Sequence, residues 1–215
     1  MKLYAVWEAK VFRVSFTTGT PDIIIPDQHV KWGKEAQDPR AQGTEMVRDG
    51  FVFRFFSLAA NGSSGEYQFS NKVYLETEIF AVWEEKTRMF GEHSNAFVMK
   101  GQKLYAAGEN GNGQLGLGHK DLVKKFTLVP KERYFNKNIK QIAPAKFSTL
   151  MLTSDNELYA VGANDKGQFG LGYSGEDILN WTHIPKSSYN SEMIKEIYAI
   201  GVKTFAFVTE NNKIY

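Results

Sequence analysis

The residues with the clearest chemical precedent are glycines at 111–116, where Gly111-Asn-Gly-Gln-Leu-Gly116 matches the Gly-x-Gly-x-x-Gly fingerprint of dinucleotide-binding sites. Such a site needs the turn to open a helix, because the phosphates bind at the helix N-terminus. Here Leu117-Gly118-His119 follows, and a second copy of the motif carries Asp165 in place of the first glycine. We therefore favour a structural role for these glycines over nucleotide binding.

Other side chains that could do chemistry are scattered along the chain. The histidines lack the spacing that sets two metal ligands on one helix face: His29, His93, His119 and His183. The absence of cysteine excludes thiolate nucleophiles, cysteine zinc sites and disulfides. Glu84 and Glu85 suit a solvated face better than an acid–base pair, and His93 suits a hydrogen-bonded strand end. We predict no catalytic, cofactor-binding or metal-binding residue and no small-molecule substrate.

One segment is markedly basic. Residues 119–146 hold eight lysines and arginines and only two carboxylates, whereas the whole chain has a net charge of +2. The candidate contact residues are Lys120, Lys124, Lys125, Lys131, Arg133 and Lys137. Cations interspersed with Tyr134 and Phe135 suit contact with phosphates or with an acidic protein. The alternative is a long inter-strand loop that its lysines keep soluble.

The composition is that of a folded protein, with 42% hydrophobic, 14% aromatic and 23% charged residues among 215. The near-neutral charge provides no general field for nucleic acids or anionic membranes. The apolar run after Lys2 stops at Glu8, too short for a signal sequence or a membrane span. We expect an intracellular protein, cytoplasmic or nuclear, without a membrane partner.

A sequence repeat supplies the elements that must position these residues. The segment KLYAAGENGNGQLGLG at 103–118 recurs as ELYAVGANDKGQFGLG at 157–172, an ungapped offset of 54 residues. Downstream, 139–142 recurs at 194–197, and 213–215 restarts the first motif. Aromatic and β-branched residues at 147–153 and 204–209 indicate hairpin strands. The run Leu150-Met151-Leu152 is apolar on both strand faces, which fits sheets stacked face to face.

Weaker copies extend the repeat upstream. Alignment on one strand places Tyr4, Phe53, Tyr105, Tyr159 and Tyr215 at intervals of 49 to 56 residues. We predict four units of about 50 to 55 residues in one repeat domain over 1–215, two degenerate in 1–101 and two clear in 102–215. Over 76–90, the early carboxylates and late cations suit a helix, but the repeat register favours a strand at 79–83.

The clear repeat resembles that of the regulator of chromosome condensation family. The resemblance rests on LYAVGANDKGQFGLG, on Ile184-Pro185 and on IKEIYAIGVKTFAFVTENNKIY, and it covers 102–215. Residues 91–94 and 96–99 extend it backwards. That family forms a β-propeller of four-stranded blades, which implies an all-β fold here.

In such a fold we expect the repeated glycines to have a structural role. They would lie where a Cβ would obstruct close backbone approach or where φ is positive. The predicted structural glycines are Gly108, Gly113, Gly116, Gly118, Gly162, Gly167, Gly170 and Gly172. The apolar residues between them would join neighbouring blades: Leu115, Leu117, Phe169 and Leu171.

The resemblance also bears on function. Members of the family most often serve as interaction platforms, so our first hypothesis is a non-enzymatic scaffold with a protein partner. The alternative is a guanine-nucleotide exchange factor for a small GTPase, the activity of the family's founding member, which works through a protein interface. Binding to chromatin or nucleic acid, also known in the family, would require the basic segment.

The two chain ends raise the question of ring closure. Residues 2–6 and 213–215 are copies of the same strand and would compete for one position in a closed ring. We predict that the units belong to a larger or incomplete ring, or that the chain associates with another chain, because an end blade would otherwise expose an apolar face. A four-bladed ring closed within one chain is the alternative.

Overall fold

The computed structural model describes residues 9–92 and 94–215, which contain only strands and short 3-10 helices as regular elements. The chain divides into two compact units, 1–86 and 87–215. Whether both belong to one repeat domain stays a prediction. The strand expected at 3–6 and the role expected of His93 fall outside the described residues. No helix in the described ranges is long and apolar enough to cross a membrane.

The first unit contains one four-stranded sheet. Its strands are β1 (Val11–Thr17), β2 (Gln28–Lys31), β3 (Phe51–Ser57) and β4 (Thr77–Glu85), in the order β2-β1-β4-β3. The hairpin pairs β1/β2 and β3/β4 are antiparallel, and the central pair β1/β4 is parallel. Alternate residues of β1 and β4, Val14 and Ile79 among them, build this unit's core with Phe56.

This sheet differs from the antiparallel meander expected of a degenerate repeat unit, and the strand at 3–6 on which the first such unit rests lies outside the described residues. A repeat unit would be an antiparallel meander, but residues 9–86 instead contain a parallel central pair. Phe53 lies in the edge strand β3, paired only with β4, so its alignment with Tyr105 and Tyr159 is wrong. The reason is that alternating aromatic and aliphatic residues specify a strand and its buried face, but not its partner.

The second unit is built from the repeat. Blade I is the sheet β5 (Thr87–Glu92), β6 (Asn95–Lys100), β7 (Lys103–Gly108) and β8 (Val123–Val129). Blade II comprises β9 (Ile139–Pro144), β10 (Ser148–Thr153), β11 (Leu158–Gly162) and β12 (Ile178–Ile184). Blade III comprises β13 (Ile194–Ala199) and β14 (Phe205–Thr209), with residues 213–215 bonded beside β14. The all-β propeller architecture expected from the repeat is confirmed, and its first blade begins at Thr87 and includes residues 91–92 and 96–99 of the segments that extended the resemblance backwards.

The blades pack face to face, as the two-sided apolar pattern predicts. All six residues of β10 are buried. Met151 belongs to the core cluster between blades I and II, whereas Leu150 and Leu152 belong to the cluster between blades II and III. One strand therefore contributes to two cores.

The predicted strand at 79–83 is confirmed, since Thr77–Glu85 forms β4 and no helix occurs there. The fingerprint at 111–116 opens no helix. Residues 109–122 form turns and bends between β7 and β8. The site therefore lacks the helix N-terminus that a dinucleotide pyrophosphate requires.

Candidate functional site

Two glycine loops connect the third and fourth strands of blades I and II. We call residues 109–118 the first glycine loop and residues 163–172 the second. All eight predicted structural glycines, in these loops and at 108 and 162, have positive φ. At Gly116, with φ +67°, a Cβ would lie 2.3 Å from the Trp181 indole nitrogen, so a side chain is also excluded by space. These glycines shape the backbone and admit neighbouring groups.

Buried amide side chains hold each loop in shape. Asn110 is fully buried; its Oδ1 accepts a hydrogen bond from the Leu115 amide at 3.0 Å, and its Nδ2 donates to the His119 carbonyl at 2.7 Å. In the second loop, Asn164 accepts from Phe169 and donates to Tyr173. These residues were missed from the sequence, although their recurrence at the same 54-residue offset is the signal that could have found them.

We expect Asn110→Ala to lower the free energy of unfolding by about 1–3 kcal/mol, because the buried Leu115 amide and the partly buried His119 carbonyl would lose their partner. Urea denaturation followed by circular dichroism would measure the change. Asn211→Ala is the control, since Asn211 is exposed. Equal stabilities for the two variants would contradict the role given to Asn110.

Further hydrogen bonds join consecutive blades. The Gln141 amide bonds the backbone of Ile197 in both directions, at 2.7 and 3.0 Å. Asn156 does the same with Ile194, at 2.8 and 2.9 Å. Arg88 of β5 donates to the carbonyl oxygens of residues 139 and 140 in β9. Each blade therefore has a fixed position relative to the next.

The basic segment does not form one continuous cationic surface. Lys120 pairs with Asp177 at 2.7 Å and Lys137 with Asp155 at 2.5 Å. Arg133 donates to Asn180 at 2.8 Å and lies over Gly118, and Lys131 donates to Asn138. Most of these partners follow the segment in the sequence and belong to blade II. The charge count from the sequence therefore overestimated the number of cationic side chains that are free to contact a partner.

The Lys137–Asp155 ion pair is charged at neutral pH but contributes little to stability. A hydrogen bond from Lys137 lowers the pKa of the Asp155 carboxyl, with help from Thr153, so the pair is fully charged at neutral pH. Its contribution is lost as the pH falls through the lowered pKa, since protonated Asp155 carries no charge. Both partners are near the surface, where such pairs contribute about 0–1 kcal/mol. Lys137 is therefore paired, but the pair contributes little to the stability of the fold.

Lys124 and Lys125 differ from the other predicted contact residues. Both are exposed on β8, and neither forms an ion pair within the described part of the chain. On the same strand Phe126 is 50% exposed and Leu128 48% exposed. We call residues 122–128 the β8 edge. These lysines lie in a strand rather than in the solvated loop that was the alternative.

The backbone of the β8 edge is open on one side. In the sheet order β5-β6-β7-β8, the strand β8 is terminal, and it pairs only with β7 among the described residues. A terminal strand presents N–H and C=O groups that another extended chain can bond. Cations, apolar side chains and free backbone groups therefore occur together here.

Titratable residues elsewhere are dispersed. Within the described ranges, no three His, Asp or Glu side chains are grouped to hold a metal ion. His183 pairs with Glu157, and His119 contacts Asp121 and Asn110.

Comparison with known proteins gives relatives but no match to a family model. The chain is similar to the X-linked retinitis pigmentosa GTPase regulator of Homo sapiens, 32% identical over 171 residues, which cover 79% of this chain and 15% of that protein. It is 33% identical over 124 residues to the secretion-regulating guanine nucleotide exchange factor of Bos taurus, covering 57% of this chain and 25% of that protein.

A solved structure supports the fold. The crystal structure of human WBSCR16 aligns with a TM-score of 0.53 and 16% identity, covering 72% of this chain and 39% of that one. The chain spans a quarter or less of the two relatives above.

Proposed function

The chain belongs to the regulator of chromosome condensation repeat family, and on that premise we propose that it is a non-enzymatic protein-interaction module. The observation that carries the proposal is the β8 edge, an open strand with two unpaired lysines beside exposed aromatic and aliphatic side chains. The partner segment that fits it is an extended acidic peptide. Its backbone would add a strand beside β8, and its carboxylates would meet Lys124 and Lys125.

Both parts of the edge are needed for this function. The backbone bonds and the exposed Phe126 and Leu128 supply sequence-tolerant affinity, because apolar area is removed from water. The two lysines supply selection for acidic segments and an association rate that depends on salt. The blades behind the edge keep it rigid, so little ordering cost is added on binding.

We expect the double variant Lys124→Glu/Lys125→Glu to bind a short synthetic peptide of alternating glutamate and valine about three- to thirtyfold more weakly, because each exposed pair contributes about 0.2–1 kcal/mol and is replaced by repulsion. Titration calorimetry would measure the affinity. Raising the ionic strength from about 0.1 to 1 M shortens the Debye length from about 10 to 3 Å and should weaken wild-type binding more than binding by the variant.

The matched control is Lys72→Glu/Lys86→Glu, which makes the same charge change at two exposed lysines outside the β8 edge. Its affinity should stay near that of the wild type. If the control loses as much affinity as the β8 variant, net charge and not the edge determines binding, and the proposal fails.

Exchange of guanine nucleotides on a small GTPase is the second candidate function. It is favoured by the similarity to the secretion-regulating exchange factor. Such an activity stabilises the nucleotide-free GTPase through a protein interface, so it requires no metal ion or nucleophile on this chain. Release of labelled GDP from a panel of small GTPases would test it, and an unchanged rate with stoichiometric protein would exclude it for that panel.

Location and chromatin contact belong to the same proposal. An intracellular location, cytoplasmic or nuclear, suits a module of this kind. Contact with chromatin would have to use Lys124 and Lys125, since four of the six predicted basic residues already have partners. Two free lysines provide little phosphate neutralisation. An acidic protein segment is therefore the better-supported partner.

A further inference from the structure

One exposed hydroxyl group lies within the β8 edge. Thr127 is exposed, and its hydroxyl donates a hydrogen bond to the Lys125 carbonyl at 3.0 Å. Its partner on β7, Ala106, and the next residue on the same face of β8, Val129, both belong to the core cluster between blades I and II. Thr127 therefore lies on the face of blade I that blade II covers, and its hydroxyl is accessible with that neighbour in place.

Two lysines precede this hydroxyl at a spacing that occurs once in the chain. Lys124 and Lys125 stand three and two positions before Thr127, and no other serine or threonine has a lysine or arginine at both positions. The residue that follows, Leu128, is apolar and 48% exposed. Protein kinases select their acceptors by charge pattern, and a kinase with an acidic substrate cleft binds cations at these two positions. The residues around Thr127 have the pattern of an acceptor for such a kinase.

The backbone that precedes Thr127 is only partly paired. Thr127 pairs with Ala106, and Val123 pairs with Gly108. Three residues of β8, 124–126, therefore lie opposite a single residue of β7. Such a bulge disrupts the hydrogen-bond ladder and leaves the extra residues without partners. Because β8 is also the terminal strand of its sheet, this extended segment presents backbone groups that an enzyme cleft can bind.

We propose that Thr127 is the phosphorylation site of a serine/threonine kinase that selects cations two and three residues before its acceptor, and that the phosphate prevents acidic peptides from binding the β8 edge. The Thr127 hydroxyl oxygen forms a bond to the γ-phosphorus of ATP while the bond from that phosphorus to the β,γ-bridging oxygen breaks. ADP leaves, and the hydroxyl proton passes to the catalytic aspartate of the kinase. The regulatory consequence rests on the proposed function, but the modification itself does not.

The phosphate would reverse the charge of the β8 edge. A phosphothreonine carries a charge of about −1.5 to −2 at neutral pH, which offsets the two positive charges of Lys124 and Lys125. The carboxylates of a partner peptide would then meet neutralised lysines beside a phosphate of their own sign, and like charges repel. A peptide with lysines in place of the glutamates would be attracted instead.

The repeat supplies a comparison position in blade II. Thr182 occupies the equivalent place in β12, and its hydroxyl donates to the Asn180 carbonyl at 3.0 Å, again two residues back. Three residues, 179–181, lie opposite one residue of β11, so the same bulge precedes it. The residues three and two positions before Thr182 are Leu179 and Asn180. Thr182 is half-buried, so a variant of the lysines is needed to separate charge from exposure.

The first experiment measures phosphate transfer to the full chain. The chain is incubated with ATP and the catalytic domain of a kinase of this class, and mass spectrometry gives the number and position of phosphates. We expect one phosphate, at Thr127, and none at Thr182. Lys124→Leu/Lys125→Asn, which places the residues found before Thr182 in front of Thr127, should slow transfer about tenfold or more. The double variant Lys72→Glu/Lys86→Glu should accept phosphate at the wild-type rate.

The second experiment measures the affinity for the glutamate–valine peptide by titration calorimetry. The phosphorylated chain should bind this peptide about tenfold or more weakly than the unmodified chain, because the added charge repels the carboxylates. Thr127→Val should bind the peptide like the wild type, which shows that the phosphate and not loss of the hydroxyl weakens binding. A lysine–valine peptide should bind more tightly after phosphorylation than before.

Two results would overturn the proposal. One is the absence of phosphate at Thr127, whether or not Thr182 or another residue is modified. The other is a measurable affinity for the glutamate–valine peptide that phosphorylation leaves unchanged. If the unmodified chain does not bind that peptide although Thr127 accepts phosphate, the result supports the modification site and contradicts only the proposed function. The two failures are therefore distinguishable.

Discussion

Replacing Trp181 by alanine is expected to lower the free energy of unfolding of the second unit, residues 87–215, by about 3–5 kcal/mol. This is the range for removing a buried large aromatic side chain. Trp181 is 1% exposed and belongs to the core cluster between blades I and II, where its indole ring packs against Gly116. Its removal would leave a cavity lined by rigid strands and by the first glycine loop. Such surroundings collapse poorly, which favours the upper part of the range.

Urea denaturation followed by circular dichroism would measure the loss. Trp32→Ala is the control, since Trp32 is 50% exposed and contacts Tyr74 at the surface of the first unit. We expect a loss well below that of Trp181→Ala. A change of less than about 1 kcal/mol for Trp181→Ala would show that the indole does not anchor the blades.

The second large effect is expected from Gly116→Ala, compared with the same change at Gly170. Both positions have positive φ, which costs a residue with a Cβ about 1–2 kcal/mol. At Gly116 the Cβ would also lie 2.3 Å from the Trp181 indole nitrogen, and such overpacking adds about 1–3 kcal/mol. At Gly170 the nearest group is Ser188, at 3.5 Å. Gly116→Ala should therefore destabilise the chain more than Gly170→Ala.

A double-mutant cycle separates the two causes. In a Trp181→Ala background, the cost of Gly116→Ala should fall to that of Gly170→Ala, because the clashing ring is gone and only the backbone cost remains. If the two glycine variants are equally destabilised in the wild-type background, the indole does not compete with a Cβ at Gly116. The comparison uses stability alone and needs no partner protein.

The repeat could be predicted from the sequence because its glycines, which adopt positive φ, and its apolar residues, which pack between blades, recur at fixed spacing. Tyr105 and Tyr159 lie at equivalent positions of β7 and β11, as the offset requires. Leu115 and Phe169 lie in the two successive blade interfaces, as predicted. The two-sided run in β10 likewise indicated a strand between two sheets.

The remaining features depend on pairing between distant segments. The parallel contact of β1 with β4 joins residues more than sixty positions apart, and nothing in either strand's pattern specifies the other. The basic segment was also misleading, because Asp155 and Asp177 approach it only in the folded chain. Burial of Asn110 could have been suspected from its recurrence as Asn164, but an isolated asparagine in a glycine-rich loop is typical of an exposed turn.

The division of β10 between two cores has a consequence for how this unit unfolds. Loss of blade II would uncover Phe97 and Met99 of blade I on one side and Ile194 and Ile197 of blade III on the other. The stability of each blade thus includes the interaction free energy of the interfaces that it shares with its neighbours. We therefore expect the three blades to unfold cooperatively, as in a linear array of repeats with nearest-neighbour coupling. Hydrogen exchange should be slowest in β10 and should quicken towards the outer blades.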